Sequence, residues 1–469
     1  MKRALAVLVV CGLAGIALAL NVPTGQEPAA KAPPSTQPSD GRLVVHEWGT
    51  FTGFAGSDGV HLPFGIAVGS ELPPFVINRK EQARRQGVKF NPWGDLSKGG
   101  GVFALQRMET PVVYFYTDRP RDVSASVNFP QGLLTEFYPP VRAMGPAFGD
   151  GPGEYRYIER APIPADAPPA TRPAPRFGRG SLDWGTVRIV PQAAGEPAVC
   201  LPDVPQTAAA GGHYRYARET DAATVQFSDR PGEQHNERFL FYRGLGDFTL
   251  PVTLTAGGGD RFEMTNLGEQ PIRFALLLRV ADGRARFALY RDVTGKQAMA
   301  LPAETVALDE IGDAIAAALV AEGLYEKEAR AMVKTWSSNW LGEPGARVLY
   351  TVPRAVTDGL LPLRITPTPD QTVRVLVGRI DVMTPEEEAK IQSLLATSPE
   401  ITALSPDDAA YLRGLGRFFD PAIDRAAKLR GSPDDRKEIN RLRSLYFSAP
   451  TPTPSAPVPT PGTAGEGSL

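Results

Sequence analysis

The sequence predicts a mainly β fold: an antiparallel, sandwich-like body with an inserted helical hairpin and a C-terminal helical segment. Three observations carry this. Segments rich in β-branched and aromatic residues recur at short intervals, bounded by Pro, Gly and Asp. Gly and Pro number 47 and 46 among 469 residues, which suits many short strands and turns. A helical period emerges only near residue 304 and again beyond residue 384.

Taken in order, the chain opens with MKR and an apolar run from Ala4 to Leu20, ending in Ala17-Leu18-Ala19. This is the pattern of a signal peptide over 1–19, cleaved after Ala19. Two alternatives stand beside it. About 17 apolar residues can just span a bilayer as a retained anchor, the one route by which this chain would meet a membrane. Cys11 offers a lipoprotein site, although Val10 precedes it where a small residue is wanted. Residues 20–41 are Pro, Ala, Ser and Thr with few large apolar side chains, which predicts a disordered linker; 448–469 predicts a disordered tail on the same grounds.

The β body is expected over 42–303. Its strands are predicted at 109–118, 125–130, 186–190, 224–227, 238–244, 248–256 and in a meander over 261–292, with Ala281-Asp282-Gly283 as a hairpin turn. A Pro-rich stretch over 159–180 reads as a surface excursion. Residues 304–345 change period. Ile311, Ile315, Ala318 and Leu319 form one helical stripe, and Gly323 is a natural stop. Leu324, Glu328, Met332, Trp336 and Trp340 then recur every four residues, with Tyr325, Ala329 and Val333 beside them, predicting a second helix packed by its aromatic face. Strands return over 346–383, at 346–353, 360–365 and 373–380.

The segment 384–447 is helical, and its starts repeat one device. Thr384-Pro385-Glu386-Glu387, Ser405-Pro406-Asp407-Asp408 and Ser432-Pro433-Asp434-Asp435 each place a hydroxyl at the cap, Pro at the first helical position and acids behind it; Asp420-Pro421 is a fourth, weaker start. Those acids therefore have a structural role and are set aside from any site.

Lys plus Arg (50) nearly balances Asp plus Glu (52), for a net charge of −2, so no basic field exists to hold nucleic acid. Only Cys11 and Cys200 occur, which excludes a Cys-rich metal site. Cys200 has no neighbouring His to raise its thiolate fraction, and is expected as a small buried side chain. No GxSxG elbow and no Gly-rich phosphate loop appear, and GGGD at 257–260 reads as a turn between strands. No cofactor is expected.

The stretch VHEWGTFT (45–52) concentrates the chemistry. Read as a strand, it places Leu43, Val45, Glu47 and Phe51 on one face and Val44, His46, Trp48 and Thr50 on the other. His46 and Glu47 then point apart and cannot share an ion. Glu47 on an apolar face needs a cation, and Arg243 in FLFYRG is the partner the sequence suggests. A zinc site remains an alternative through His46, His213 and His235, three imidazoles from separate segments. Carboxylate-pair hydrolysis would draw on Glu47, Glu219, Asp221 and Glu237, with Glu109, Glu136 and Asp247 also near predicted strands. Trp48, Tyr114, Tyr116 and Trp184 would supply sugar-stacking faces.

VHEWGTFT (45–52), METPVVYFYT (108–117), FLFYRGLGDF (239–248) and RVLYTVPR (347–354) together resemble a family of exported bacterial proteins with no assigned activity. The resemblance covers roughly 42–383 and implies export and a shared fold, but no mechanism. The expectation is therefore a non-catalytic protein of the periplasm or cell envelope, binding or scaffolding an extracytoplasmic ligand or envelope protein. The alternative is an extracytoplasmic hydrolase of polysaccharide or peptide, zinc-dependent or not.

Overall fold

Three hydrophobic clusters organise the computed structural model, which describes residues 40–65, 72–87, 103–146, 179–192, 199–205, 212–397, 402–431 and 435–448. The readings of 1–39 as signal, anchor or linker, of 159–178 as an excursion, of 449–469 as a tail and of Ser432-Pro433-Asp434 as a helix start fall outside these residues.

A nine-stranded sheet forms the centre. Across it lie β16 (Arg284–Val293), β15 (Ile272–Ala281), β18 (Gly345–Val352), β20 (Gln371–Val382), β1 (Val44–Ala55), β5 (Gln106–Tyr116), β12 (Leu240–Gly246), β7 (Gly132–Tyr138) and β3 (Ile77–Asn78). A second sheet runs β11 (Glu233–Glu237), β10 (Thr224–Arg230), β9 (Gly180–Val190), β6 (Arg121–Phe129) and β19 (Leu363–Thr366), with β8 (Ala143–Gly145) paired to β9. Two small sheets join β13 (Val252–Ala256), β14 (Arg261–Asn266) and β17 (Gly295–Ala300), and β2 (Phe64–Gly65) with β4 (Phe103–Ala104).

The fold is mainly β and sandwich-like, as the strand spacing implies. Val45, Phe51, Phe115 and Leu376 of the central sheet pack against Val123, Val127, Trp184 and Ile189 of the second and Leu254 and Met264 of the third. The antiparallel expectation needs one correction. β1 and β20 pair in parallel, Val44 opposite Gln371 through Ala55 opposite Val382. Every other ladder among the described residues is antiparallel. A parallel pair needs both faces covered, and all twelve residues of β1 are buried.

The helical hairpin covers the other face. Two short helices precede it, α1 (Arg79–Arg85) and α2 (Gly212–Tyr216); α3 (Leu308–Ala321) and α4 (Glu326–Trp340) then form the hairpin. The expected stripes are the buried ones: Ile311, Ile315, Ala318 and Leu319 on α3, and Glu328, Met332, Trp336 and Trp340 on α4. They pack on Val44, Trp48, Val112, Tyr114 and Tyr116. Between the helices Gly323 takes φ +110°, a backbone that only glycine adopts without strain.

The returning strands carry a second correction. The run expected as a strand from Leu360 instead ends a short helix, α5 (Arg354–Leu360), and β19 begins at Leu363. Pro353 stands at the N-cap of that helix, its carbonyl accepting from the Val356 and Thr357 amides.

Beyond β20, α6 (Pro385–Ala396), α7 (Pro406–Gly414), α8 (Phe419–Arg430) and α9 (Asp435–Ser448) pack Ile391, Leu412, Phe419, Ile423 and Leu442 on Phe54, Phe64 and Met383. The Thr384 hydroxyl accepts from the Glu387 amide at 3.3 Å, while the Glu387 carboxylate accepts from the Thr384 amide at 2.8 Å. The Ser405 hydroxyl accepts from the Asp408 amide at 3.1 Å. Asp420 is not a cap: α8 starts one residue before it, and its carboxylate accepts from Arg443 Nε at 2.8 Å. No described helix is long and apolar enough to cross a membrane.

Candidate functional site

The alternation read from VHEWGTFT is present, and it sends His46 and Glu47 into separate buried polar centres. On the hairpin face, His46 Nδ1 lies 2.7 Å from Glu328 Oε2, and the Tyr116 hydroxyl donates to Glu328 Oε1 at 2.7 Å. His46 and Glu328 are fully buried, and the Tyr325 ring closes over the imidazole at 4.4 Å. Burial, then the neighbouring Glu328 carboxylate, raises Tyr116 far above the usual phenol value, so it remains a donor. On the opposite face, Glu47 accepts from the Tyr242 hydroxyl and from Arg374 Nε at 2.5 Å. The expected Glu47–Arg243 pair is therefore corrected. Parallel pairing sets Arg374 directly opposite Glu47, whereas Arg243 sits opposite Glu136 and donates to it at 2.9 and 3.2 Å.

Further along β1 the same hairpin face opens. Between Trp48 and Thr50 the register with β5 slips by one residue, because β5 carries the extra residue of a bulge. Thr110 adopts φ +49° there, and Pro111 presses so close that a Cβ on Gly49 would lie 2.9 Å from its Cα. Gly49 is thus required by close approach of backbone.

The bulge aims Glu109 into a charged cleft of about 420 Å³. Its lining includes Arg107, Glu109 and Thr110 of β5, Arg243 of β12, His213 and Tyr214 of α2, Trp336 and Asn339 of α4, Glu343, and Arg417 from the turn before α8. Three separate regions therefore meet here: the β body, the hairpin and the C-terminal helices. Glu109 accepts from Thr52 Oγ1 at 2.7 Å and Arg417 Nη1 at 2.7 Å, with Arg107 Nε 3.1 Å away. Burial pushes the Glu109 carboxyl up, but Arg417, Arg107 and the Thr52 hydroxyl outweigh it and hold it down at about 2.

Behind the cleft the network continues. Arg379 donates to Glu343 and, at 2.5 Å, to Asp381, which also accepts from Arg347 Nε at 2.8 Å. Arg347 and Arg379 are fully buried, and burial lowers Arg347 to about 10 against the pull of Asp381. Arg347 also caps the end of α4 by donating to the Trp340 carbonyl at 2.6 Å. Its role is to fix the hairpin and the Glu343 loop.

The remaining sequence candidates lie apart from this cleft or at its margin. His213 reaches it, with Nδ1 against the Thr335 carbonyl and its ring stacked on Trp336 at 5.6 Å. The Thr335 carbonyl can only accept, so Nδ1 carries the proton. His235 lies against Tyr138 and Glu233 instead. Among the described residues no group of three or more His, Cys, Asp or Glu side chains is placed to hold a metal ion. Glu237 is buried and bound by Arg218 at 2.7 Å and Tyr214 at 3.0 Å; desolvation raises its carboxyl. Glu219 and Asp221 pair with Lys334 and Lys327 on the outer side of α4. Cys200 is exposed rather than buried, because it lies in an irregular segment that touches Asn236 through its backbone carbonyl.

Sequence reasoning missed Glu343 and Arg417, and placed Arg107 in no site. One signal was present. Pro111 inside a run of strand-forming residues marks a bulge or an edge, since proline cannot donate to a ladder. No protein-family model matches the chain, and no curated protein is significantly similar to it.

Proposed function

We propose that the protein is an exported, non-catalytic component of the cell envelope, and that it holds an extracytoplasmic ligand in the cleft between Glu109, Arg417 and Trp336. The resemblance to exported proteins supports the location, as does the MKR-to-Ala19 pattern. The observation that carries the binding reading is the state of Glu109. A general base works best with a pKa near the operating pH; a carboxylate held at about 2 by two guanidiniums is ionised at neutral pH and weakly basic. The cleft is thus a rigid constellation of fixed charges beside an aromatic wall, with the size of a small-molecule site.

The test is to purify the full mature chain, incubate it with the small-molecule fraction of the envelope, and identify what it retains. Expected are a mature N-terminus at Leu20 and a retained compound released chemically unchanged on denaturation. Steady conversion of that compound into a product would overturn the reading in favour of the hydrolase, and a mature chain beginning at Met1 would overturn cleavage of the signal.

A further inference from the structure

We infer, resting on the reading that this cleft is the ligand site, that it takes an oxyanion, a carboxylate or phosphoryl group carried on a flat apolar body. The inference comes from which polar atoms of the lining are already used. Glu109 is filled by Arg417, Arg107 and Thr52, and Glu343 is engaged by Arg379 with Arg417 Nη2 3.9 Å away. Both carboxylates of the lining are thereby engaged, while three of its N–H donors are not. Arg417 Nε and Nη2 and Trp336 Nε1 are buried with no hydrogen-bond partner among the described residues. Arg417 is also held in place, by its Nη1 bond to Glu109 and by the Phe418 ring 5.2 Å from its guanidinium carbon. A fixed guanidinium edge with two open donors matches the paired oxygens of a carboxylate or phosphate. The indole N–H of Trp336 is a further unpaired donor in the same lining.

The aromatic and aliphatic part of the lining sets the rest of the ligand. Trp336 and His213 stack with 28° between their planes, and Tyr214 and Leu72 complete an aromatic and aliphatic surface. A flat apolar body fits that surface while its charged end meets Arg417. A cationic ligand fits poorly, since it would face open donors and find the carboxylates occupied.

Isothermal titration of the full mature chain at low salt with phenyl phosphate, benzoate and benzamide tests this. The three probes share a ring and differ in the group presented to Arg417. Phenyl phosphate or benzoate is expected to bind at least tenfold more tightly than neutral benzamide, and the stronger of the two identifies the source as phosphoryl or carboxylate. Arg417→Ala is expected to weaken that probe at least tenfold, with Arg330→Ala on the outer face of α4 leaving it unchanged. Should the alanine variant not fold, Arg417→Lys replaces it, with a loss of at least threefold because an ammonium offers no two-pronged edge. Benzamide binding as tightly as the anions, no binding by any probe, or Arg417 variants that bind like the parent would each overturn the proposal. A neutral compound recovered from the envelope fraction would sink the oxyanion while leaving the binding reading intact.

Discussion

The two halves of β1 bury polar side chains in opposite ways. In the first half His46 and Glu47 are sealed, each side chain fully out of solvent and each met by one or two dedicated partners. In the second half Thr52 helps hold Glu109, whose partners Arg107 and Arg417 line a cleft. The source of the cation differs as well. Glu47 takes Arg374 from the adjacent strand of its own sheet, whereas Glu109 takes Arg417 from the C-terminal helical segment. Equal chemistry therefore serves two ends: the sheet-internal pair fixes the strand, and the inter-segment pair builds a surface that a ligand can reach.

The largest expected effect breaks the sealed half. Glu47→Gln leaves Arg374, a cation with only 2 % of its side chain exposed, with the half-exposed Asp358 at 2.7 Å as its one remaining counter-charge, and should cost roughly 3 kcal/mol in chemical denaturation, the low end for a broken buried pair. Glu109→Gln should cost less, because Arg417 at 12 % exposure is closer to water. If the two losses come in the reverse order, the distinction between sealed and open halves fails.

Acid titration sharpens the open half. Glu109 has a folded-state value of about 2 against an ordinary 4.5, so its folded pKa is depressed. Its contribution is present above about pH 4.5 and is lost as pH falls towards 2. At about 1.4 kcal/mol per unit, the loss is about 3 kcal/mol. Subtracting the pH–stability curve of Glu109→Gln from that of the parent should isolate this limb. A difference that is flat between pH 5 and 2 would show that the carboxylate is not held by its guanidiniums.

The smallest effect concerns the hairpin side of the sealed half. Glu328→Gln retains the shape but removes the charged acceptor shared by His46 and Tyr116, at a cost of about 1.5–3 kcal/mol in the same denaturation assay. A variant as stable as the parent would mean that Tyr325 and its aromatic neighbours alone hold this part of α4 on the sheet.

Much of the architecture was legible because it is local. The stripes of α3 and α4, the Thr384 and Ser405 caps and the Asp282-Gly283 turn, with φ +51° and +71°, depend on residues within a few positions of each other. The need of Glu47 for a cation was legible too, from its place on an apolar face. Its partner was not. Strand order is a non-local property, and the parallel pairing that sets Arg374 beside Glu47 leaves no trace in either segment alone. Nor was Glu328 readable as anything but one turn of a buried stripe, though it is the acceptor that gathers His46 and Tyr116. The cleft was the least legible feature, since Glu109 and Arg417 are 308 positions apart and Arg417 sits in a stretch of ordinary composition.

The parallel ladder between β1 and β20 also sets a timetable. Its paired residues are 327 positions apart, so the second-emerging partner of the central strand comes late in synthesis. At about 5–20 residues per second, β1 waits roughly 15–65 s with one edge unfilled. An unpaired strand edge of this kind is a template for wrong pairing. The same delay is useful to a chain that must be threaded through a membrane unfolded, as the proposed export requires. Its central sheet is not complete until Val382 of the 469 residues has been made.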